Sequence, residues 1–215
     1  MICVDIETSG ADNYIKNGIW QIGAIDLETK EEFLEEARID DTDTLTEMAL
    51  LVCEKTEEEL RDKNKQSQKE MLEKFFNWCK KTKVKNFICQ NPQFDYAFFR
   101  IRAAMYDLVL PLHWRAFDLH SIAQAKHSEK EGGAFLKDYD GQLMSGMGLP
   151  KICEFCGMKD PRKNLDKDGK VIAEGIPHNG LFDAKLEAEC FSRLMFGKNL
   201  LPEYNKFPIP DYLKK

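Results

Sequence analysis

Three short apolar runs lie near the start of the chain, and the stretches between them are typical of turns. The runs cover residues 2–4, 19–27 and 33–39. Residues 9–13 and 28–30, between the runs, are rich in turn-forming types. Because short strands joined by tight turns usually pair in antiparallel fashion, the sequence predicts a three-stranded antiparallel meander.

From about residue 44 the spacing of apolar residues becomes helical. Apolar side chains fall on one helical face over residues 45–52 and again over 72–79. The elements predicted next are a buried strand at 86–90, a helix at 94–106, a short strand at 117–119 and a helix that follows it through Lys126. Helices between strands imply crossovers and some parallel pairing, so the sequence predicts an α/β fold with a mixed sheet.

Two polar stretches interrupt the second half of the chain. Residues 128–148, which are rich in glycine, are predicted as a long loop or lid, and residues 159–177 as another polar loop. A short helix is predicted at 151–158 and a long amphipathic helix at 178–196. Because the part after the first loop is too small for a separate core, residues 1–215 are predicted to form one domain.

Charge is distributed unevenly along the chain. The formal net charge is −6, yet residues 26–62 alone contain 15 acidic and 4 basic residues. The remainder contains 22 acidic and 27 basic residues, a net charge of +5. Because one segment supplies the acidic excess, the composition does not exclude nucleic acid as a partner.

The cysteines and the hydropathy indicate a cellular compartment. Seven scattered cysteines without a secretory signal predict reduced thiols and a cytoplasmic location. Asp5 lies so close to Met1 that a cleaved targeting peptide would remove it, which argues against such a peptide. No apolar run reaches about 18 residues, so neither a transmembrane helix nor a membrane partner is predicted.

Two short patterns resemble metal sites but are better interpreted as packing residues and as a turn. Cys153 and Cys156 have C-x-x-C spacing, but a zinc site needs two more soft ligands, so both thiols are interpreted as packing residues. Residues 166–169 (DKDG) resemble the start of a calcium loop. The twelfth position of that loop would be Pro177 and not Glu, so a turn is predicted.

Asp5 and Glu7 form the first of three motifs that could carry chemistry. Their spacing of two places both carboxylates on one face of a strand. Adjacent carboxylates repel each other unless a cation lies between them, and oxygen ligands suit Mg²⁺ or Mn²⁺. By itself, however, such a pair is more often part of an exposed strand face.

The other two motifs each begin a helix. Asp95 follows a predicted buried strand, where an acidic residue also suits the first turn of a helix electrostatically. His178 and Asp183 lie on either side of the start of the last helix and could share a site. Taken alone, a histidine next to proline is usually a solvated loop residue.

In this order, the three motifs resemble those of the DnaQ-like 3′→5′ exonuclease family, in the subgroup with four acidic residues and a histidine (DEDDh). The family pattern D-x-E-T-T/S-G is matched by residues 5–10, N-x-x-F-D by residues 91–95, and H-x₄-D by residues 178–183. The resemblance spans residues 1 to about 197. One departure is Gln90, where many members have histidine.

The resemblance implies a ribonuclease H-like fold with a five-stranded mixed sheet in the order 3-2-1-4-5, flanked by helices. It also implies hydrolysis of the terminal phosphodiester at a nucleic acid 3′ end, single-stranded or frayed, with release of nucleoside 5′-monophosphates. The residues that would bind two Mg²⁺ or Mn²⁺ ions are Asp5, Glu7, Asp95 and Asp183. His178 would act as the general base.

The resemblance leaves the substrate contacts and the substrate class open. The groups expected near the 3′-terminal nucleotide are the backbone groups of Thr8 and Ser9 or the side chains of Phe94 and Tyr96, although the two aromatic rings could equally belong to the core. The substrate could be DNA or RNA, and the chain could be a stand-alone enzyme or a proofreading subunit. The alternatives are a non-catalytic nucleic-acid-binding module on the same fold, or an interaction protein that docks through residues 26–62.

Overall fold

A five-stranded sheet lies at the centre of the computed structural model, which describes residues 1–166 and 168–215. Its strands are β1 (Ile2–Thr8), β2 (Ile19–Asp26), β3 (Glu32–Glu36), β4 (Phe87–Cys89) and β5 (Phe117–Asp118). Their order is β3-β2-β1-β4-β5. The first three strands pair antiparallel, whereas β4 is parallel to β1 and β5 to β4. The predicted meander and the mixed sheet in the order 3-2-1-4-5 are therefore confirmed.

Helices cover both faces of this sheet. They are α1 (Glu47–Cys53), α2 (Glu57–Leu60), α3 (Gln68–Lys80), α4 (Pro92–Met105), α5 (Leu119–Glu131), α6 (Leu149–Phe155) and α7 (Gly180–Phe196). One core cluster joins the sheet to α3 and α4, and a second joins it to α5, α6 and α7. Short 3₁₀ helices at Pro202–Tyr204 and Asp211–Leu213 follow α7, and Tyr204 and Leu213 pack into the second cluster.

The side-chain alternation of β1 decides which residues reach each face. Ile2, Val4 and Ile6 belong to the cluster with α3 and α4, whereas Cys3 belongs to the cluster with α7. Because successive strand residues point to opposite faces, Asp5 and Glu7 share the face of Cys3. The two carboxylates of the first motif are therefore directed towards α7.

Two glycines allow α7 to begin in direct contact with the sheet. A Cβ on Gly23 of β2 would lie 1.8 Å from the backbone nitrogen of Leu181, and a Cβ on Gly180 would lie 2.9 Å from the carbonyl oxygen of Asp5. Either distance is far below van der Waals contact. The absence of a side chain at both positions thus sets the distance between the start of α7 and β1.

The two stretches predicted as loops contain β-hairpins, so these predictions were wrong in part. Within 128–148, α5 continues to Glu131 rather than ending at Lys126, and β6 (Leu136–Tyr139) pairs with β7 (Gln142–Ser145). Within 159–177, β8 (Asn164–Leu165) pairs with β9 (Val171–Ala173).

The two short metal-like patterns have structural explanations in the described residues. Cys153 and Cys156 are buried beside α7, and the Cys153 Sγ atom lies 3.8 Å from Cys190 Sγ. The Asp166 carboxylate accepts the backbone N–H groups of Asp168 and Lys170. This arrangement fits the predicted turn, within which Lys167 lies outside the described residues. None of the helices in residues 1–166 and 168–215 is long and apolar enough to cross a membrane.

Candidate active site

A cleft of about 300 Å³ lies at the edge of the sheet where β1 and β4 end. Its lining includes all the residues predicted to be catalytic, namely Asp5, Glu7, Asp95, His178 and Asp183. Folding therefore brings together side chains that range from residue 5 to residue 183. The alternative of an exposed strand face does not apply to the first motif, because Glu7 is 9% exposed and Asp5 is half-buried.

Local backbone geometry places Asp95 at the cleft. Asn91, two residues after the end of β4, adopts a left-handed conformation with φ of 59°, and Pro92 begins α4. Proline suits the first helical position because it lacks an N–H that would be left without a partner there. Asp95 falls in the first turn of α4 and accepts a hydrogen bond from Cys89 Sγ at 3.2 Å.

Hydrogen bonds at the start of α7 fix the third motif against the sheet. Asn179 caps the helix by accepting the Phe182 N–H group at 3.1 Å. The Gly180 N–H group donates to Gln21 Oε1 of β2 at 2.7 Å. His178 lies just before the helix and Asp183 in its first turn. These bonds therefore hold both side chains at the cleft.

Burial and mutual repulsion disfavour the charged forms of the carboxyl groups. Burial raises the pKa of Glu7 to about 8, and the charge of Asp183 contributes to the shift. Burial also raises the pKa of Asp95 to about 7. The pKa of Asp5 is raised well above its ordinary value by burial and by the charges of Glu187 and Asp183. Such a cluster stores repulsion that a cation relieves.

His178 is held in a form that can accept a proton. Its Nε2 atom lies 3.1 Å from the carbonyl oxygen of Lys163, which can only accept, so Nε2 carries the hydrogen. The other ring nitrogen, Nδ1, lies 3.5 Å from Asp183 Oδ2 and is left as the acceptor. Burial lowers the pKa of His178, and the charge of Arg162 lowers it further. The neutral imidazole is therefore favoured at pH 7.

The donor set fits a hard divalent cation. Ligand atoms of Glu7, His178 and Asp183 lie within 4.8 Å of one another. Glu7 Oε1 and Asp183 Oδ1 are buried without a hydrogen-bond partner among the described residues. Because a buried carboxylate oxygen normally has a partner, these two atoms are suited to a metal ion. Carboxylate oxygens are the ligands that Mg²⁺ and Mn²⁺ prefer.

Two further charged residues of the cleft were not predicted from the sequence. Glu187 lies one turn after Asp183 on α7, and it accepts hydrogen bonds from the Gln90 N–H group at 3.1 Å and from Cys3 Sγ at 3.8 Å. Arg162, just before β8, donates from Nη1 to Asp183 Oδ2 at 3.2 Å. The i, i+4 spacing of Asp183 and Glu187 was a signal in the sequence, whereas Arg162 had none.

The residues predicted at the terminal nucleotide lie in two different places. Thr8 and Phe94 line a groove of about 540 Å³ that adjoins the cleft and shares Glu7 and His178 with it. The Ser9 side chain is buried, and its hydroxyl is bonded to the Thr44 carbonyl and the Gly18 N–H group. The ring of Tyr96 stacks on Phe87 with centroids 6.1 Å apart, so this residue packs against the core.

The chain matches the family model RNase_T, described as an exonuclease, over residues 2–191. This match covers all three motifs and every predicted site residue. No protein of curated function matches the chain.

Solved structures of several nucleases resemble this fold. Exonuclease I of E. coli, in complex with a 5cy-dA13 oligonucleotide, has a TM-score of 0.64 and 15% identity, with 89% of this chain and 40% of that chain covered. The nuclease domain of 3′hExo, described as a DEDDh family member bound to rAMP, has a TM-score of 0.60 and 16% identity, with 98% of this chain and 95% of that chain covered. Cell-death related nuclease 4 (CRN-4) has a TM-score of 0.64 and 14% identity, with 93% of this chain and 64% of that chain covered. The chain thus spans about two-fifths of the length of exonuclease I.

Proposed function

The chain belongs to the RNase_T exonuclease family, and we propose that it removes nucleotides one at a time from the 3′ end of single-stranded or frayed nucleic acid. The observation that carries the proposal is the convergence of Asp5, Glu7, Asp95, Asp183 and His178 on one cleft. A non-catalytic binding module would not need four carboxylates crowded together around a neutral histidine.

We propose that the four aspartate and glutamate residues of this set hold two Mg²⁺ or Mn²⁺ ions. When bound, such ions supply Lewis-acid stabilisation of the charge that develops on the phosphate and on the leaving oxygen. His178 accepts the proton of the attacking water at Nδ1, while the Lys163 carbonyl keeps its ring oriented. The products are a nucleoside 5′-monophosphate and a chain shortened by one nucleotide.

The groove beside the cleft suits the 3′-terminal nucleoside. Its walls are formed by the end of β1, by Phe94 and by the apolar side chains of Met48, Ala49 and Val52 on α1. Phe94 is half-buried and edge-on to Phe98, with centroids 5.0 Å apart, so its ring is held in place. Aromatic and apolar walls accept any base, which suits an exonuclease without strong sequence preference.

A digestion experiment tests the proposed function. Oligonucleotides labelled at the 5′ end should shorten progressively with Mg²⁺ or Mn²⁺ and stay intact with EDTA. Asp95→Asn should abolish shortening because it removes a charge from the cleft, whereas Asp211→Asn, at an exposed carboxylate outside the cleft, should leave the rate unchanged. Cleavage that persists in EDTA, or in the Asp95 variant, would refute the assignment.

Parallel digestion of matched DNA and RNA oligonucleotides identifies the substrate class. The relatives in solved structures include one bound to a DNA oligonucleotide and one bound to rAMP, so both classes belong in the experiment. A ratio of kcat/KM values above about tenfold, equivalent to roughly 1.4 kcal/mol, would indicate a contact to the 2′ position.

A further inference from the structure

Arg162 is a buried cation at a site otherwise dominated by negative charge. It is the only arginine or lysine among the described residues that line the cleft. Its side chain comes from the segment between α6 and β8, outside the three motifs. A buried arginine beside a proposed metal-binding cluster calls for an explanation, because its positive charge opposes cation binding.

Asp160 holds the guanidinium from one side. Arg162 Nε donates to Asp160 Oδ1 at 3.0 Å and Arg162 Nη2 donates to Asp160 Oδ2 at 3.0 Å, a two-pronged pair that fixes the plane of the group. Both side chains are largely buried, at 8% and 5% exposure. The guanidinium is therefore oriented before any ligand arrives.

The contacts of the guanidinium with described residues leave part of its donor set unused. Besides the two bonds to Asp160, Arg162 Nη1 donates to Asp183 Oδ2 at 3.2 Å. A guanidinium has five N–H groups, so two remain, one on each terminal nitrogen. Asp183 Oδ1 also has no hydrogen-bond partner among these residues. The same carboxylate can thus bind a metal ion through Oδ1 while Oδ2 stays with Arg162.

We propose that Arg162 binds the phosphate of the scissile bond through these two N–H groups and that Asp160 is its positioning residue; the inference rests on the proposed exonuclease function. Arginine is suited to this role because its fork matches two phosphate oxygens, which lysine cannot do. The positive charge of Arg162 would then offset the negative charges of the bound phosphate and of Asp183.

The same short segment also supports the histidine. The Lys163 carbonyl that orients His178 directly follows Arg162, and Lys163 Nζ is paired with Glu54 Oε1 at 2.8 Å at the end of α1. Because these two backbone positions are adjacent, the segment sets the phosphate donor and the proton acceptor relative to each other.

Ligand binding without turnover tests the proposal. The probes are AMP and dAMP, with adenosine and deoxyadenosine as phosphate-free controls, each titrated calorimetrically in the presence of Ca²⁺. Arg162→Gln should weaken monophosphate binding by about 10- to 100-fold and leave nucleoside binding unchanged, because a charge-assisted hydrogen bond pair is lost. The affinity of Arg162→Lys for monophosphates should lie between those of the wild type and of Arg162→Gln. Lys159→Gln, which removes a nearby exposed charge outside the cleft, should behave like the wild type.

Further measurements keep the result interpretable. Mn²⁺ titration and the Tm of each variant report whether the metal site and the fold survive. If Arg162→Gln does not fold, Arg162→Lys and Asp160→Asn provide the test, since both should weaken monophosphate binding selectively. Equal losses for monophosphate and nucleoside, or unchanged monophosphate affinity, would overturn the role of Arg162. Wild-type protein that neither binds monophosphate nor shortens oligonucleotides would instead refute the exonuclease proposal.

Discussion

Five carboxyl groups share the candidate site with one arginine and one histidine, and at the scale of the residue this imbalance governs the behaviour of the protein. The carboxyl groups belong to Asp5, Glu7, Asp95, Asp183 and Glu187. Burial raises the pKa of each of them. Without a divalent ion, these carboxyl groups therefore either stay protonated or repel one another.

The first prediction concerns the pH dependence of stability without metal. The pKa of Glu7 is about 8 in the folded state and about 4.5 ordinarily, so between these values the folded state binds the extra proton. Stability therefore falls as pH rises through this window. In EDTA, Tm should decline from pH 5 to pH 8, and Mg²⁺ should restore it at pH 8. Glu7→Gln should flatten the decline; a Tm that rises over this range in EDTA would contradict the account.

The second prediction separates the proton acceptor from the metal ligands. His178→Gln should lower kcat by about 10²- to 10⁴-fold, the usual contribution of a general base. Binding of Mn²⁺ should persist because the four proposed carboxylate ligands remain. His113→Gln, at an exposed histidine outside the cleft, is the matched control and should retain full activity. Turnover unchanged in the His178 variant would remove this residue from the mechanism.

Sequence reasoning at this scale succeeded where spacing fixes geometry. Spacing predicted that Asp5 and Glu7 share one face of a strand and that His178 and Asp183 lie on either side of a helix start, whereas their meeting in one site was implied by the family resemblance. Arg162 could not be found this way because, although Asp160 is only two residues away, Asp183 and the cleft meet it only through tertiary structure. The motif did not reveal that the Ser9 hydroxyl donates to the distant Thr44 carbonyl or that the ring of Tyr96 stacks on Phe87.

At the scale of the element, the start of α7 is the feature on which the site depends. It meets β2 at Gly23, donates to Gln21 and carries Asp183 within its first turn. The start of α7 and β2 are closer here than a side chain at Gly23 would permit. A small outward displacement of α7 would widen the gap between Asp183 and the carboxylates of β1.

The third prediction follows from that contact. Gly23→Ala should destabilise the fold by about 1–3 kcal/mol or more, because the added methyl group overlaps the backbone at Leu181. Activity should fall further than the loss of folded protein explains, since α7 must shift. Gly133→Ala provides the control, because a Cβ there would meet no described atom within 4 Å. Urea unfolding and specific activity, measured together, distinguish the two variants.

The hairpins show where element prediction failed and why. Strands β6 and β7 are exposed on both faces, so they lack the apolar alternation that identifies a strand. A signal was nevertheless present, because Asp140 and Gly141 form the turn with φ values of 53° and 84°. Asp-Gly is a strong two-residue hairpin signal. Glycine richness in residues 128–148 was wrongly interpreted as irregular structure.

At the scale of the whole molecule, the acidic segment of residues 26–62 is partly neutralised by ion pairs. Several acidic side chains of residues 26–62 form ion pairs with basic side chains, among them Glu57 with Arg61 and Glu36 with Lys65. Asp43 is paired with the fully buried Arg102. These pairs reduce the field of the acidic segment, which does not contribute to the cleft. The overall negative charge is thus compatible with a nucleic acid substrate.

The fourth prediction concerns the seven cysteines, all of which are free and buried. Burial raises the pKa of the Cys53 thiol to about 11, and other buried thiols are shifted in the same direction. Because the thiolate is the reactive form, a thiol reagent should react slowly with native protein and rapidly with all seven groups after unfolding. Rapid labelling of the native protein would show that the core opens readily.

The distance in sequence between Asp5 and Asp183 has a consequence for biosynthesis. Strand β1 is made before α7, which reaches it only after residue 183 has been translated and has left the ribosome. At about 5–20 residues per second, roughly 9–35 seconds separate the two events. During that interval the nascent chain holds only part of the candidate site. The cleft is therefore complete only once translation has passed that point.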